Sequence, residues 1–502
     1  MERLEGVVRP YAWGSRTAIA SLRGQQVPSA HPEAELWFGA HPAAPARCVR
    51  SVEGAGDPDS ADTDLLTVIQ ADPAHELGAA SVGVFGERLP FLLKVLAAEE
   101  PLSLQAHPSL AQASEGFARE NALGLALDAP ERNYRDPWHK PELVVALTEF
   151  DALAGFRMPD RTLELLRELQ VPALDPYLGL LAGQADCDGL RAVFTTWLTL
   201  PEKAIMALVP AVLEGAVAVL GSGATEFGDE LRTLLELGEM YPGDPGVLAS
   251  LLLNRVRLSP GEGMYLPAGN LHAYLHGTAI EIMANSDNVL RGGLTPKHID
   301  VPELLRVLDF TPIPVADLHP TVRTLGAERI YLTPAAEFRL SQVELDGTGL
   351  HLSQSISFDM PGPQMLAVLG GAIEVRTATG ESVTVRSGTA LWFADGDPDV
   401  VVRAVGEKHV GDPAAEAELR AEDLVRLPDV PLVDVVDDAA VGELGERLQV
   451  PVPLSLGVEE GLDAVGPELL DDRLEGGPVD VLEDPRRDER HAAAVHPEAD
   501  RH

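Results

Sequence analysis

The spacing of apolar and polar positions divides the chain into three kinds of segment. Over residues 1–156 short apolar runs are broken by Pro, Gly and Asp, a β-strand pattern. The run 90–96 reads as a buried strand that sets Leu92, Lys94 and Leu96 on one face. In 101–109 the period of two puts Ser103, Gln105 and His107 on one face and Leu102, Leu104 and Ala106 on the other. Such a strand suits either the surface or the wall of a polar cavity. Over 158–254 the period turns helical: Leu190, Val193, Phe194, Trp197 and Leu198 form one stripe, Leu163, Leu166 and Leu169 another behind Asp160 as N-cap, and Leu231, Leu234 and Leu235 a third with Gly238 as its stop. These stripes read as core.

From Ser259 the chain is β again. Gly261, Glu262, Pro267, Gly269 and His272 read as two strands bent around a tight loop, which delivers a histidine to the mouth of a small barrel. A short helix is expected over 301–308. Residues 323–407 alternate short strands with turns at Asp346-Gly347, Gly370-Gly371, Thr379-Gly380 and Ser387-Gly388, and read as a second β unit without metal chemistry. Beyond Gly411 no period persists. Residues 414–424 and 443–448 could form short helices, and the rest of 411–502 is expected to be disordered, with 25 acidic and 8 basic residues.

At 502 residues the chain calls for two or three domains. Near-zero mean hydropathy, no apparent run of eighteen apolar residues and no basic-then-apolar N-terminus lead to the expectation of a soluble cytoplasmic protein. Cys48 and Cys187 are too few for a disulfide framework. The net charge of -41 argues against a nucleic acid or an anionic membrane as partner. An anionic small ligand then needs a local cluster of cations.

Gln105, His107, Glu142 and His272 can be collected from the β segments as metal ligands. Two imidazoles, one carboxylate and one amide oxygen suit Zn²⁺ with a position left for substrate. Each also has an ordinary reading: a hydrogen-bonded strand histidine, or a solvated strand start for Glu142. Their scatter over about 170 positions carries no local spacing signal.

The segments SLQAHPS, HKPE, ELWFGAHP and HAYLHGTAIEIMANSDNVLRGGLTPK closely resemble the type I phosphomannose isomerases of the cupin superfamily. The resemblance runs from Tyr11-Ala12-Trp13-Gly14 to about Glu407. With the periodicity, it implies a mainly β protein with an α insertion: a cupin-type jelly-roll barrel split over 1–157 and 255–322, an inserted helical domain over 158–254, a degenerate jelly-roll domain over 323–410, and the acidic tail. It implies one zinc ion per chain on Gln105, His107, Glu142 and His272, although the family usually has a proline where this chain has Leu271. It also implies interconversion of mannose 6-phosphate and fructose 6-phosphate through a cis-enediol(ate). Arg291 matches the family's catalytic arginine. For proton transfer or ring opening, Glu281, His139, Lys140 and Asp287 compete. Ser103, Lys94 and Lys297 are candidates for the phosphate or sugar hydroxyls. A monomer is expected. The competing reading is a cupin that binds a sugar phosphate without turnover.

Overall fold

The long strand His272–Ala284 organises one side of the molecule. Residues 1–49, 63–223, 225–345, 355–358, 362–405 and 424–426 are described by the computed structural model. From Gly277 onward the strand pairs antiparallel with Phe91–Ala98 on one edge and with Glu142–Ala146 on the other. Before Gly277 its partners are Phe150–Phe156 and, at His272, Gln105. The register slips between Tyr274 and His276, and Gly277 takes a φ of 121°, where an added Cβ would stand 2.5 Å from the Glu149 carbonyl oxygen. Glycine alone fits this close approach, so the strand can exchange neighbours and serve two walls at once.

Ten strands share this sheet, which continues through Glu35–Phe38 to Val7–Arg9. Leu290–Gly293 pairs with Leu104–Ala106, setting Arg291 opposite Gln105. The two strands expected around Gly269 form as Gly263–Leu266 and His272–Ala284, but they do not pair with each other. Gly263–Leu266 pairs with Glu142–Ala146, which itself pairs with His272–Ala284. The turn through Pro267 and Gly269 therefore carries the chain across an intervening strand, and Gly269, at φ 80°, donates its N–H to the His107 carbonyl.

The helical segment is Pro159–Glu168, Asp175–Gly183, Cys187–Leu198, Glu202–Ser222, Gly228–Met240 and Gly246–Ala249. Its stripes are buried as the spacing implies, in one cluster with Leu104, Ala106, Leu153, Phe156, Leu271 and Leu290. The helices thus brace the back of the site strands, and Leu271, standing at the family's proline position, is part of that packing. Two details differ from expectation. Met158, not Asp160, is the N-cap residue, because Pro159 fills the first helical position. Gly238 lies inside its helix, where a Cβ would stand 2.6 Å from the Leu213 side chain, so it permits helix approach instead of ending the helix. Glu202–Ser222 is also long and apolar enough, at a mean hydropathy of 2.1, to cross a membrane by length and composition, with Pro210 and Glu214 interrupting its apolar run. Here Ile205, Leu208, Val209, Val212 and Ala216 pack into the core and Glu214 is exposed.

The segment 1–156 holds more helix than its strand pattern suggests: Leu65–Ala71, Pro73–Phe85 and Leu110–Ala122, the last opened by a Ser109 and Gln112 capping box. The expected helix near 301 is Val301–Val307.

A nine-stranded sheet and a four-stranded sheet take up the C-terminal β segment. The turns at Gly371, Gly380 and Gly388 all have positive φ, and Asp346-Gly347 lies outside the described residues. The N-terminal strand Glu2–Glu5 sits in the nine-stranded sheet, between Thr389–Phe393 and Arg47–Val49. The backbone of Leu424–Arg426 joins the same sheet between Arg339–Val343 and Gln364–Val368. These three residues lie within the segment expected to be tail; they are too few to show a period, and only pairing reveals them as a strand. The helix expected over 414–424 falls outside the described residues up to Leu424, which begins this strand, and the remainder of the tail lies outside them as well.

Candidate metal centre

Strand alternation aims the site residues. Gln105 projects into the cavity, while Leu104 and Ala106 face the helical core. Glu142 begins its strand opposite Met283, and His272 begins the long strand opposite Gln105. Glu142 Oε1 lies 3.3 Å from His107 Nε2, and Glu142 Oε2 lies 3.3 Å from His272 Nε2. The donor atoms of these three buried residues all fall within 4.8 Å of one another.

The tautomers follow from the other ring nitrogens. His107 Nδ1 is 2.7 Å from the Asn288 carbonyl oxygen and His272 Nδ1 is 3.1 Å from that of Asn270. A carbonyl only accepts, so both Nδ1 atoms carry hydrogen and both Nε2 atoms present lone pairs to the carboxylate. Burial pushes His107 down to about 4. Burial alone would raise the Glu142 carboxyl, but Lys140 at 2.8 Å outweighs it and holds it well below its usual range. Three electron-pair donors thus converge in a dry site, and His107 Nε2 has no hydrogen-bond partner. A divalent cation satisfies all three. Gln105 Nε2 donates to Ser103 Oγ at 3.3 Å, so the amide oxygen of Gln105 is the atom able to serve as a fourth ligand.

Lys94 and Glu281 line the same cavity, paired at 2.8 Å. Glu281 Oε1 accepts from Tyr274 Oη at 2.9 Å, and Glu35 stands 3.8 Å from Lys94 while accepting from Trp37 Nε1 at 2.7 Å. Burial would lower the Lys94 ammonium, but Glu281 and Glu35 outweigh it and raise its pKa. Its charge is balanced inside the protein, and both oxygens of Glu281 are engaged.

The other candidates spread outward. Lys140 lines the cavity beside Glu142. Asp287 is bound by His41 Nε2 at 3.2 Å; His41 Nδ1 accepts the Ala43 N–H, so the imidazole proton sits on Nε2. Burial would raise the Asp287 carboxyl, and His41, then Lys140 and Arg135, bring it below its usual range. His139 is absent from the cavity wall and meets Glu337 instead. Arg291 is half-buried and Lys297 exposed; burial, then Arg135, lowers the former, and burial, then Arg291 and Arg135, the latter. Among the described residues none of Arg135, Arg291 and Lys297 forms an ion pair. Three mutually repelling cations in so acidic a protein have the charge to attract an anion.

Sequence reasoning missed His41, Glu35, Tyr274, Arg135 and Glu337. The first three stand in segments already quoted as motifs, and Arg135 lies just before HKPE, so their positions were available; Glu337 has no local signal. A wider groove of about 500 Å³, lined by Arg232, Arg255, Arg257 and Asp229 among others, offers no comparable chemistry because its arginines pair with Asp151 and Asp229.

The profile of the family described as phosphomannose isomerase type I, catalytic domain, matches residues 1–159. Mannose-6-phosphate isomerase of Escherichia coli strain K12 is 41% identical over 389 residues, 77% of this chain and 94% of that protein. The human mannose-6-phosphate isomerase is 35% identical over 418 residues, 78% and 92% of the respective chains. The crystal structure of the Salmonella typhimurium mannose 6-phosphate isomerase, bound to fructose 6-phosphate and zinc, superposes with a TM-score of 0.73 at 35% identity, covering 85% of this chain and 99% of that one. With this coverage and identity joined to the converging His107, Glu142 and His272, the chain belongs to the type I phosphomannose isomerase family.

Proposed function

We propose that the protein is a zinc-dependent aldose–ketose isomerase that interconverts mannose 6-phosphate and fructose 6-phosphate. The observation that carries this reading is the meeting of two imidazole lone pairs and one carboxylate beside an unpaired cationic trio. The E. coli and human relatives are named mannose-6-phosphate isomerases, and the Salmonella structure holds fructose 6-phosphate and zinc. Gln105, His107, Glu142 and His272 would hold the metal, which when bound polarises the carbonyl and neighbouring hydroxyl oxygens of the open-chain sugar.

The protein's own groups then have separable tasks. Arg291, Arg135 and Lys297 take the phosphate dianion and developing oxyanion charge; a guanidinium stays protonated and cannot act as base. Ser103 supplies a hydroxyl to the sugar. Lys140 gives one N–H to Glu142 and keeps two for a sugar oxygen. Proton movement between C1 and C2 and ring opening fall to His139 and Asp287, each held by a partner at one side. Glu281, held by Lys94 and Tyr274, orients the cavity wall. The reading extends to the architecture: a split cupin-type jelly-roll barrel over 1–157 and 255–322, a helical insertion over 158–254, and a second jelly roll over 323–410. A cytoplasmic monomer completes it.

A coupled assay with mannose 6-phosphate tests the activity. Turnover that chelation abolishes and zinc restores is the expected result. Sugar-phosphate binding without turnover in zinc-loaded protein would replace the isomerase with a sensor.

A further inference from the structure

The connection between His272–Ala284 and Leu290–Gly293 is irregular backbone, yet it holds Asn288 at 0% exposure. The Asn288 carbonyl oxygen receives the His107 Nδ1 proton at 2.7 Å. Its side chain meets the segment that leads into Glu142. Oδ1 accepts the N–H of Arg135 at 2.7 Å and that of Asp136 at 3.3 Å, and Nδ2 donates to the carbonyls of Asp136 and Trp138, each at 2.8 Å. Both acceptor sites and both protons of the amide are therefore engaged, and its orientation follows: oxygen faces two N–H groups and nitrogen two carbonyls. No other residue of this size offers that set, and an aspartate would turn an oxygen toward two carbonyls.

We propose that Asn288 is a positioning residue for the metal centre: through its carbonyl it fixes the His107 ring, and through its amide it fixes the segment that delivers Glu142. This inference rests on the metal-dependent isomerase reading and names a residue that acts through two ligands, His107 and Glu142. His107 Nε2 and Glu142 Oε1 stand 3.3 Å apart and come from strands far apart in sequence. An ion shared between them binds well only if ring and carboxylate keep that relation, and Asn288 is bonded on both sides of it.

Neighbouring bonds lace the same two segments together. Ser286 Oγ donates to Asp136 Oδ1 at 2.8 Å and accepts the Asn288 N–H at 3.3 Å, and the Asp287 N–H donates to Asp136 Oδ2 at 2.8 Å. The Ala284 N–H reaches the Pro141 carbonyl, next to Glu142, at 3.1 Å. Arg88 lies over the Trp138 ring at 4.0 Å and donates to the Asn285 carbonyl. Within this lacing Asn288 alone also holds a metal ligand, so losing its amide loosens the carbonyl on which the His107 ring is set.

The test measures zinc affinity, by competition with a chromophoric chelator, in full-length wild type, Asn288→Ala, Ser286→Ala and Leu190→Ala. Leu190, fully buried in the helical insertion, is the control for a general loss of packing. The expected result is zinc held about 10- to 100-fold more weakly in Asn288→Ala, a smaller loss in Ser286→Ala, and affinity within about twofold of wild type in Leu190→Ala. Cobalt(II) in place of zinc gives a visible absorption set by ligand geometry; its bands should change in Asn288→Ala and keep their wild-type form in Leu190→Ala. Wild-type zinc affinity in Asn288→Ala, or an equal loss in Leu190→Ala, overturns the proposal. Should Asn288→Ala fail to fold, wild-type affinity in Ser286→Ala overturns it as well. A wild type that binds no zinc would instead defeat the metal reading, and zinc-loaded wild type without turnover would defeat the isomerase reading while leaving the order of zinc affinities to decide the role of Asn288.

Discussion

Replacing Lys94 with Met removes the one cation between Glu281 and Glu35 while keeping an unbranched stem. At 2.8 Å and an effective dielectric of about 20, the Lys94–Glu281 attraction is about 6 kcal/mol, an upper figure for what the substitution can release. The variant has a cheaper outlet, because a carboxyl left alone can take a proton. For a group with an ordinary pKa of about 4.3 that costs about 3.7 kcal/mol at pH 7 and about 1 kcal/mol at pH 5. The smaller number limits the loss, in line with the roughly 3–5 kcal/mol seen when one member of a buried pair is removed. In the wild type the raised Lys94 pKa means that the pair's contribution is fully present below about pH 10 and is lost only as pH rises through the folded-state value. The variant therefore carries the pH dependence: Lys94→Met should destabilise by about 3–4 kcal/mol at pH 7 and by about 1 kcal/mol at pH 5. Urea unfolding followed by fluorescence reads this directly, since Trp37 lies 5.3 Å from the Lys94 ammonium. Adding Glu281→Gln should restore part of the loss at pH 7 and keep the Tyr274 contact. A loss under about 1 kcal/mol at pH 7, or one that does not shrink toward pH 5, would refute the buried-charge account.

Glu142→Gln and His272→Ala should each lower bound zinc from one ion per chain to near none, measured by metal analysis after dialysis, with folding judged separately by circular dichroism. Because burial lowers His107 to about 4, against about 6.5 for a free imidazole, metal-stripped protein should lose stability as pH falls from about 6.5 to 4, where the unfolded chain takes up the proton first; melting temperatures across that range check the sign. Arg135→Gln should raise KM for mannose 6-phosphate about tenfold, the size of one charge-assisted contact, and leave any turnover of unphosphorylated mannose unchanged. Gly277→Ala should cost about 1–3 kcal/mol in denaturant, since its φ of 121° and the Glu149 carbonyl both exclude a Cβ.

Local patterns were legible in this chain because they depend on few neighbours. The period of two placed Gln105 opposite the face carrying Leu104 and Ala106, and the helical stripe through Leu190, Val193, Phe194 and Trp197 is buried as its spacing implies. Four quoted motifs, read as a resemblance, supplied the family and the ligand set. What spacing alone could not supply was convergence. Nothing local brings His272 within 3.3 Å of Glu142 or opposes Arg291 to Gln105; strand pairing does both, and it hinges on a glycine whose need is seen only beside Glu149. The same holds for roles. Lys94 looks like a free cation in sequence and is a neutralised one in the fold, Gly238 looks like a helix stop and is a contact point, and Glu337 meets His139 across 198 positions. Residue type and short-range period are written in the chain, whereas partner identity, and with it charge balance and tautomer, depends on which distant backbones the sheets bring side by side.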